Sequence, residues 1–475
     1  MPRPSSSPGK GAAGASSTSA TSAASATSSP SFLDRHFGIR AAGSNVKVEV
    51  VGGITTFLTA MYIIVVNPGI LSQGGVPFPA ALTATVLVSF IGSCAMGLYA
   101  RNPVLVAPGM GMNALFAFVM VHGGGMSWQT ALGCVFWSGV IFALLAALNV
   151  RRLVVDAIPA NLRHGVSCGI GLFITLIGLV NAKFIVGDPV TIVHGAHMNP
   201  VIVTFLLGLA LTIVLVTRRV TGALMIGIVA TTLLAIPIGR WWGDGTAYWP
   251  AAIATKTLVN WNGLFAAPDF SAIGQLDLMG ALKVIYWPFI FVMLFTSFFD
   301  ALSTFMAVSD AGNLLDADGN PRNIRESMIV DSLSALVSAP LGTSPANAYI
   351  ESAAGISAGG RTGLVAVVAG LCFLPFLFLS PLLSLVPAIA TAPALILVGV
   401  FMMDAITKIE WHRFEEAIPA FIAMILIPLT YSITDGIVWS FLAFVVLKVF
   451  TGRMRDIKPA MWVATALAVV LLTQL

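Results

Sequence analysis

The chain has 475 residues, of which 57% are hydrophobic and only 9% are charged. Soluble domains carry about 25% charged residues, so the composition excludes a water-soluble enzyme. The net charge of +4 is too small to indicate a nucleic-acid partner, and the four cysteines lie in apolar runs without metal-ligand spacing. A mean hydropathy of +0.93 instead indicates many membrane spans.

The chain begins with a polar tail. Residues 1–35 are mainly Ser, Ala, Thr, Gly and Pro, and no apolar run follows the early basic residues Arg3 and Lys10. This composition predicts disorder, because such a segment has too little apolar surface to bury. A transit peptide is the alternative, since the first 30 residues are Ser-rich and contain no acidic residue.

Hydropathy predicts fourteen membrane segments. Two of them, 103–121 and 343–357, are short and broken by Pro and Gly, and a final run at 459–474 is expected to lie at the membrane interface. Most of the others reach the roughly 17–25 residues that a spanning helix needs. They lie near residues 49–66, 80–100, 129–150, 162–184, 199–217, 221–239, 281–306, 324–340, 361–380, 385–404, 416–432 and 434–450.

The basic residues support this number of segments. With fourteen spans and a cytoplasmic N-terminus, all but four of the 24 Lys and Arg residues fall in cytoplasmic segments. The exceptions are Lys183, Arg240, Lys256 and Lys283. Omitting either broken segment would place the basic loops that follow it on the wrong side of the membrane.

The two halves of the chain share a weak internal repeat. The broken segments are third and tenth in order, and each begins extended around a proline, as PVLVAPGMGMNALF (103–116) and GTSPANAYIESAAGI (342–356). The first and eighth segments also correspond, with an offset of about 230–240 residues between the halves. Seven spans per half is an odd number, so the second half enters from the opposite side. This is the inverted repeat typical of transporters.

Acidic residues inside the spans are candidate functional groups, because a charge at the bilayer centre costs at least about 2.5–3.5 kcal/mol. Asp300 lies in FTSFFDALSTF, and Glu351 lies in NAYIESAAG. A helix-to-helix hydrogen bond is the structural alternative for Asp300, and a helix cap is that for Glu351. Asp331, in IVDSLSAL, fits a structural role better. Asn113 begins the third half-helix and is a further candidate, with a backbone cap as its alternative.

Metal and cofactor sites are not expected. His194 and His197 stand three residues apart in a predicted external loop and have no third ligand nearby. No nucleotide-binding loop or Ser/His/Asp spacing is present, which disfavours ATP-driven pumping and hydrolysis.

Five motifs together resemble a known family. They are GGITTFLTAMYIIVVNPGIL, APGMGMNALFAF, FFDALSTF, SPANAYIESAAGI and TGRMRDIKPAMWV. They are similar to motifs of the AzgA-like purine permeases, which belong to the nucleobase–ascorbate transporter group. The likeness covers the chain from residue 35 to residue 460.

This resemblance implies an all-α polytopic fold with fourteen transmembrane segments in a 7+7 inverted repeat. Spans 1–4 and 8–11 would form a core and the remaining spans a gate, with short antiparallel strands in broken segments 3 and 10. The expected divisions are a tail (1–35), core (48–150), gate (151–240), extracytoplasmic loop (241–280), core (281–380), gate (381–450) and C-terminal interfacial segment (451–475).

The resemblance also implies proton-coupled uptake of adenine, guanine and hypoxanthine, with Asn113, Asp300 and Glu351 as the binding residues. The residue chemistry agrees with this. A carboxylate such as Glu351 accepts two N–H groups of a purine edge, and Asn113 offers a donor and an acceptor. Phe299 is expected to stack on the ring, with Phe298 and Phe116 as alternatives. Asp300 or Glu351 would carry the proton, although sodium stays open as the coupling ion.

Two other functions remain open. An anion transporter of the same architecture is disfavoured by the two acids, because no Arg or Lys is expected at their depth. A membrane receptor or enzyme is the second alternative, and the lack of a nucleophile–base pair disfavours the enzyme. The expected partners are a purine nucleobase, protons, the lipid bilayer and, from related transporters, a second copy of the chain. The expected location is the bacterial inner membrane.

Overall fold

The structure is a computed structural model, and its first described element corrects the predicted tail. The described residues are 32–148, 159–189, 191–246, 255–261, 263–312, 314–315, 321–459, 461–462, 465 and 469. The predicted tail up to residue 31 and most of the run at 459–474 lie outside them. Residues 32–35 belong to helix α1 (Phe32–Phe37), because Phe37 and Ile39 pack against Leu364.

The first half of the described chain contains nine α-helices. Asparagine and serine side chains accept backbone N–H groups at the start of three of them, as Asn45 does for the second helix. Two π-helical stretches, Met96–Ala100 and Leu115–Gly123, continue the fourth and fifth helices. The helices after α1 are α2 (Val46–Ala60), α3 (Ile63–Gln73), α4 (Phe78–Ala95), α5 (Met110–Ala114), α6 (Trp128–Ala147), α7 (Ala160–Asn181), α8 (Pro200–Thr217) and α9 (Ala223–Ala235).

The second half is also mostly helical. Its longest helix has 26 residues and contains Asp300. Short 3-10 turns join several of its helices. The helices are α10 (Trp287–Gly312), α11 (Ile324–Leu341), α12 (Ser352–Ser357), α13 (Leu364–Phe373), α14 (Ser380–Leu383), α15 (Ala388–Met402), α16 (Phe414–Leu429) and α17 (Ile433–Phe450).

Among the described residues, eight helical stretches are long and apolar enough to cross a membrane. They are Val46–Gln73, Phe78–Ala100, Trp128–Ala147, Ala160–Asn181, Pro200–Thr217, Val284–Asp310, Ala388–Lys408 and Ile433–Phe450. Each of the other six predicted segments also contains a helix, but a shorter or more polar one. A multi-pass protein is therefore observed, whereas the number of fourteen spans and the inverted repeat stay predictions.

The two broken segments meet as antiparallel strands, as predicted. Strand β1 (Val106–Pro108) pairs with strand β4 (Ala346–Ala348), and Ala107 lies opposite Asn347. All six strand residues are buried. Side-chain hydroxyls complete the backbone pairing, because the Val106 N–H donates to Ser93 Oγ at 3.0 Å. Buried non-helical backbone of this kind is stable only when its polar groups are paired inside the protein.

A second, unpredicted sheet lies between α7 and α8. Strands β2 (Ile185–Asp188) and β3 (Ile192–Gly195) form an antiparallel hairpin. All residues of β3 are exposed, including His194.

The helices pack in two groups. Helix α7 packs against α15 and α16, and α16 packs against α17, while α8 and α9 pack together. We call these six the gate helices. Helices α2, α4, α6, α11 and α13 pack with one another and with the broken segments, and we call them, with α3, α5, α10 and α12, the core helices. The boundaries predicted for the two domains stay predictions.

The segment predicted as an external loop, 241–280, packs in part on the core helices. The Asp277 N–H donates to Gln129 O at 2.9 Å, and the Gly274 N–H donates to Pro340 O at 2.8 Å. These hydrogen bonds connect the long loop to the ends of α6 and α11.

Candidate functional site

The two acids expected to be functional lie where α10 passes the crossing of the broken segments. Asp300 is midway along α10, and its side chain is exposed. Ser303, Ala307 and Asp310 continue the exposed face toward the end of the helix. Charged side chains avoid lipid, so Asp300 and Asp310 indicate that this face meets water.

Asp300 is held by an amide from the broken segment 10. Asn347, a fully buried residue of β4, donates from Nδ2 to Asp300 Oδ2 at 3.1 Å. Gly109 leaves space for this amide, because a Cβ atom there would lie 3.1 Å from Asn347 Nδ2. The strand crossing therefore positions the hydrogen-bond donor of Asp300.

Glu351 is held by a tyrosine from the first segment. It is half-buried and directly precedes α12. Tyr62 lies at the break between α2 and α3, and its hydroxyl donates to Glu351 Oε1 at 2.7 Å. Asn347, which donates to Asp300, precedes Glu351 by four residues in the same broken segment. Two acids from distant parts of the sequence thus share one location.

Asn113 is placed differently from these acids. It is fully buried, and its Oδ1 accepts a hydrogen bond from Ser344 Oγ. Its Nδ2 lies 3.8 Å from Met110 Sδ. In this conformation Asn113 joins the two broken segments and does not line the exposed face, so its predicted contact with substrate stays a prediction.

Asp331 is buried behind the strand crossing. It is fully inaccessible on α11, which packs against β4. Its two carboxyl oxygens have no hydrogen-bond partner among the described residues, so the structural role that the sequence favoured stays a prediction.

One of the three candidate aromatic residues is accessible. Phe116 and Phe298 are buried in the core, where the ring of Phe298 packs on that of Phe142. Phe299 is half-buried beside Asp300. It is therefore the aromatic side chain that stays available at the site.

The structure also corrects the expectation that no cation lies at the depth of the acids. The guanidinium carbon of Arg163 lies 5.0 Å from the centre of the Phe299 ring. Arg163 is in the first turn of α7, which the sequence assigned to the cytoplasmic boundary. Its long side chain extends from the helix end to the site, which is common for arginine.

Sequence reasoning missed Tyr62, Asn347 and Arg163. The first two are in the quoted motifs, and a weak signal was present. Asn347 and Tyr349 alternate along the broken segment, as expected for a strand that directs both side chains to one face. The pairing of Tyr62 with Glu351 has no signal in a single sequence, because 289 positions separate them.

The resulting site is rich in acceptors and lacks a paired cation. Among the described residues, neither Asp300 nor Glu351 forms an ion pair, and each accepts a hydrogen bond from a neutral donor. Carboxyl groups in this setting bind N–H groups or protons. They repel anions.

Comparison with known proteins gives full-length relatives. The family model described as Permease family matches residues 47–438. The adenine permease AdeP of Escherichia coli is 39% identical over 438 residues, covering 92% of this chain and 94% of the relative. The guanine/hypoxanthine permease PbuO of Bacillus subtilis is 38% identical, covering 89% and 96%. The nucleobase transporter PlAzg2 of Paenibacillus larvae is 34% identical, covering 85% and 78%.

Solved structures share the fold at low identity. The transmembrane domain of the cyanobacterial bicarbonate transporter BicA superposes with a TM-score of 0.60 at 16% identity, covering 83% of this chain and 97% of that domain. SLC26A9 gives a TM-score of 0.59 at 11% identity, covering 88% and 68%. These likenesses show a transporter fold.

The full-length relatives confirm the resemblance that the motifs indicated. The family consists of membrane permeases, which excludes an enzyme. The chain belongs to the permease family, and it is a multi-pass membrane transporter.

Proposed function

We propose that the protein imports purine nucleobases, namely hypoxanthine, guanine and adenine, by proton symport. Its relatives include permeases named for adenine and for guanine and hypoxanthine, which supports this substrate class. The substrate binds between broken segments 3 and 10 and α10. The location is a bacterial inner membrane with the N-terminus in the cytoplasm.

The main support is the pair of carboxyl groups, Asp300 and Glu351, at one accessible location without a paired cation. A purine carries several N–H groups on its edge. Glu351 accepts two of them at once, while Tyr62 keeps the carboxylate oriented. Phe299 stacks on the flat ring of the purine. Asn113 forms hydrogen bonds with the purine edge after broken segments 3 and 10 shift.

Proton coupling follows from the proximity of the two acids. Ionising two neighbouring carboxyl groups in a site of low polarity costs free energy, because the like charges repel each other. One of the two groups therefore takes up a proton. Asp300 is the proton carrier in this proposal, and Glu351 is the substrate acceptor. Proton entry at a potential of 100 mV supplies about 2.3 kcal/mol per charge.

Alternating access results from movement of the core helices against the gate helices. Phe118 of the core region contacts Tyr431 at the end of α16, with ring centres 5.9 Å apart. Tyr431 also meets Phe173 of α7 at 5.0 Å. In this proposal these contacts close the pathway at the Tyr431 end, and the exposed face of α10 marks its opening at the Asp310 end. In the proposed orientation the conformation is open to the cytoplasm.

An anion transporter of the same architecture is the second candidate. BicA is a bicarbonate transporter, and SLC26A9 is described as an anion transporter, so the fold alone permits this function. Arg163 lies over the aromatic ring of Phe299. The two acids at the site favour the purine.

Uptake of radiolabelled hypoxanthine into proteoliposomes with an inward proton gradient tests the proposal. We expect accumulation that a protonophore abolishes and that adenine or guanine, but not uracil, competes. Bicarbonate and sulfate uptake in the same vesicles tests the anion alternative. Accumulation that follows a sodium gradient, or hypoxanthine uptake no faster than in empty liposomes, would contradict the proposal.

A further inference from the structure

One of the contacts that connect the two helix groups lies beside the site. Arg163 belongs to gate helix α7, and Phe299 belongs to core helix α10. The guanidinium carbon is 5.0 Å from the ring centre, within the range of a cation–π interaction. The contact thus joins the gate to the residue that precedes Asp300.

The surroundings of the Phe299 ring leave few positions for a ligand. Phe298 meets it edge-on at 5.4 Å, and Phe295 lies 6.0 Å away at a tilt of 36°. Arg163 lies over the ring. A flat heterocycle that stacks on the face covered by Arg163 requires the place that the guanidinium occupies.

We propose that Arg163 is a positioning residue that covers the Phe299 ring when no purine is bound and leaves it when a purine stacks there. The inference rests on the proposed function, because it takes a purine as the ligand. A guanidinium and a purine use the same π surface of the ring, so they exclude each other.

This exchange links binding to movement. While Arg163 covers Phe299, the gate is attached to the core beside the site. When the purine replaces the guanidinium, this attachment is lost, which eases a shift of the core helices against α7. When the purine leaves, Arg163 returns and restores the starting position.

The test compares substitutions at position 163 with a matched control. Arg163→Met removes the charge and keeps the side-chain length, and Arg163→Lys keeps a cation. Arg218→Met is the control, because Arg218 is an exposed arginine at the end of gate helix α8. Hypoxanthine Kd is measured on purified protein in lipid nanodiscs, and KM and kcat are measured in proteoliposomes.

We expect Arg163→Met to bind hypoxanthine about 3- to 10-fold more tightly, because the competitor for the ring is removed. Its kcat should fall, since the bound purine leaves less readily. The Kd of Arg163→Lys should lie between those of Arg163→Met and the wild type, and the Kd of Arg218→Met should match that of the wild type. In a Phe299→Leu background, Arg163→Met should have no further effect on Kd.

Three results would overturn the inference. An unchanged Kd in Arg163→Met would show that the arginine does not compete with the purine. Weaker binding would show that the arginine itself holds the purine. If Arg163→Met changes Kd equally in the Phe299→Leu background, the arginine acts independently of the Phe299 ring. Failure of the proposed function looks different, because the wild-type protein would then bind no purine.

Discussion

Two regions of the helix bundle differ in the partners of their charged side chains. At the site in the core, Asp300 and Glu351 have neutral hydrogen-bond donors, and Asp300 is exposed. In the gate, Lys448 of α17 is only 2% exposed, and its Nζ lies 3.3 Å from Glu416 of α16. The core thus leaves acids without cations, whereas the gate pairs its charges.

The gate cluster is a connected network. Asn161 in the first turn of α7 donates to the second oxygen of Glu416 at 2.7 Å and accepts the Glu410 N–H at 3.0 Å. Arg413 also contacts Glu416, at 3.1 Å. Three gate helices and the turn before α16 are thereby joined by paired charges and by the Asn161 amide.

The difference shows how to separate structural from functional charges in a membrane protein. A buried charge with a full set of partners is part of the packing, and its loss destabilises the fold. A charge that lies at the same depth without a counter-ion has a ligand or a proton as its partner. Four substitutions test this distinction.

The largest expected effect is that of Asp300→Asn. The substitution keeps the shape and removes the proton-binding group, so proton-driven accumulation of hypoxanthine should be lost, with initial uptake reduced about 100-fold or more. Asp404→Asn is the matched control, because Asp404 is 74% exposed and pairs with Lys408. Uptake in proteoliposomes is the measurement. A variant that still concentrates hypoxanthine against its gradient would show that Asp300 is not the proton carrier.

The next effect is that of Glu351→Gln. The amide replaces a charged acceptor, and a hydrogen bond to a charged group contributes about 1.5–3 kcal/mol. We therefore expect the Kd for hypoxanthine to rise about 10- to 100-fold, with little change in the melting temperature. Equilibrium binding in nanodiscs measures it. If Kd is unchanged while Glu351→Ala also binds normally, the substrate site lies elsewhere.

Lys448→Met tests the gate network and should act on stability. Leaving a buried charge without any partner costs about 3–5 kcal/mol of stability. Glu416 keeps its contacts with Asn161 and Arg413, so we expect the free energy of unfolding to fall by about 2 kcal/mol. Thermal unfolding in detergent measures the loss, and hypoxanthine Kd of the folded fraction should be unchanged. The double variant Lys448→Met with Glu416→Gln should regain part of the stability. A changed Kd at full stability would assign the cluster a functional role.

The smallest effect is expected for Tyr62→Phe. It removes the hydroxyl that orients Glu351 and leaves the aromatic ring packed in the core. One neutral hydrogen bond contributes about 0.5–1.5 kcal/mol, which corresponds to a rise in KM of about 2- to 10-fold. Tyr99→Phe serves as the control, because Tyr99 is 60% exposed. An effect as large as that of Glu351→Gln would mean that Tyr62 contacts the substrate itself.

Much of the fold was predictable because the bilayer imposes simple rules. Long apolar runs predicted the spanning helices, and the prolines in broken segments 3 and 10 marked the non-helical backbone that became β1 and β4. The acids Asp300 and Glu351 stood out for the same reason, since charge is expensive in lipid. These signals are local in the sequence.

Partners across long separations were not predictable. Lys448 was assigned to a cytoplasmic boundary, but packing of α16 and α17 buries it beside Glu416. Arg163 was likewise assigned to a boundary, although its side chain reaches Phe299. The chain length between such residues carries no information about which helices pack together.

By itself, the sequence determined that this protein spans a membrane many times, where its helices are broken and which acids lie at depth. These properties follow from the hydropathy of short segments. Only the tertiary structure decided that Tyr62 holds Glu351, that Asn347 holds Asp300 and that Asn113 is buried at the strand crossing. The physical reason is that hydrogen bonds between distant segments depend on helix packing, which a hydropathy pattern does not encode.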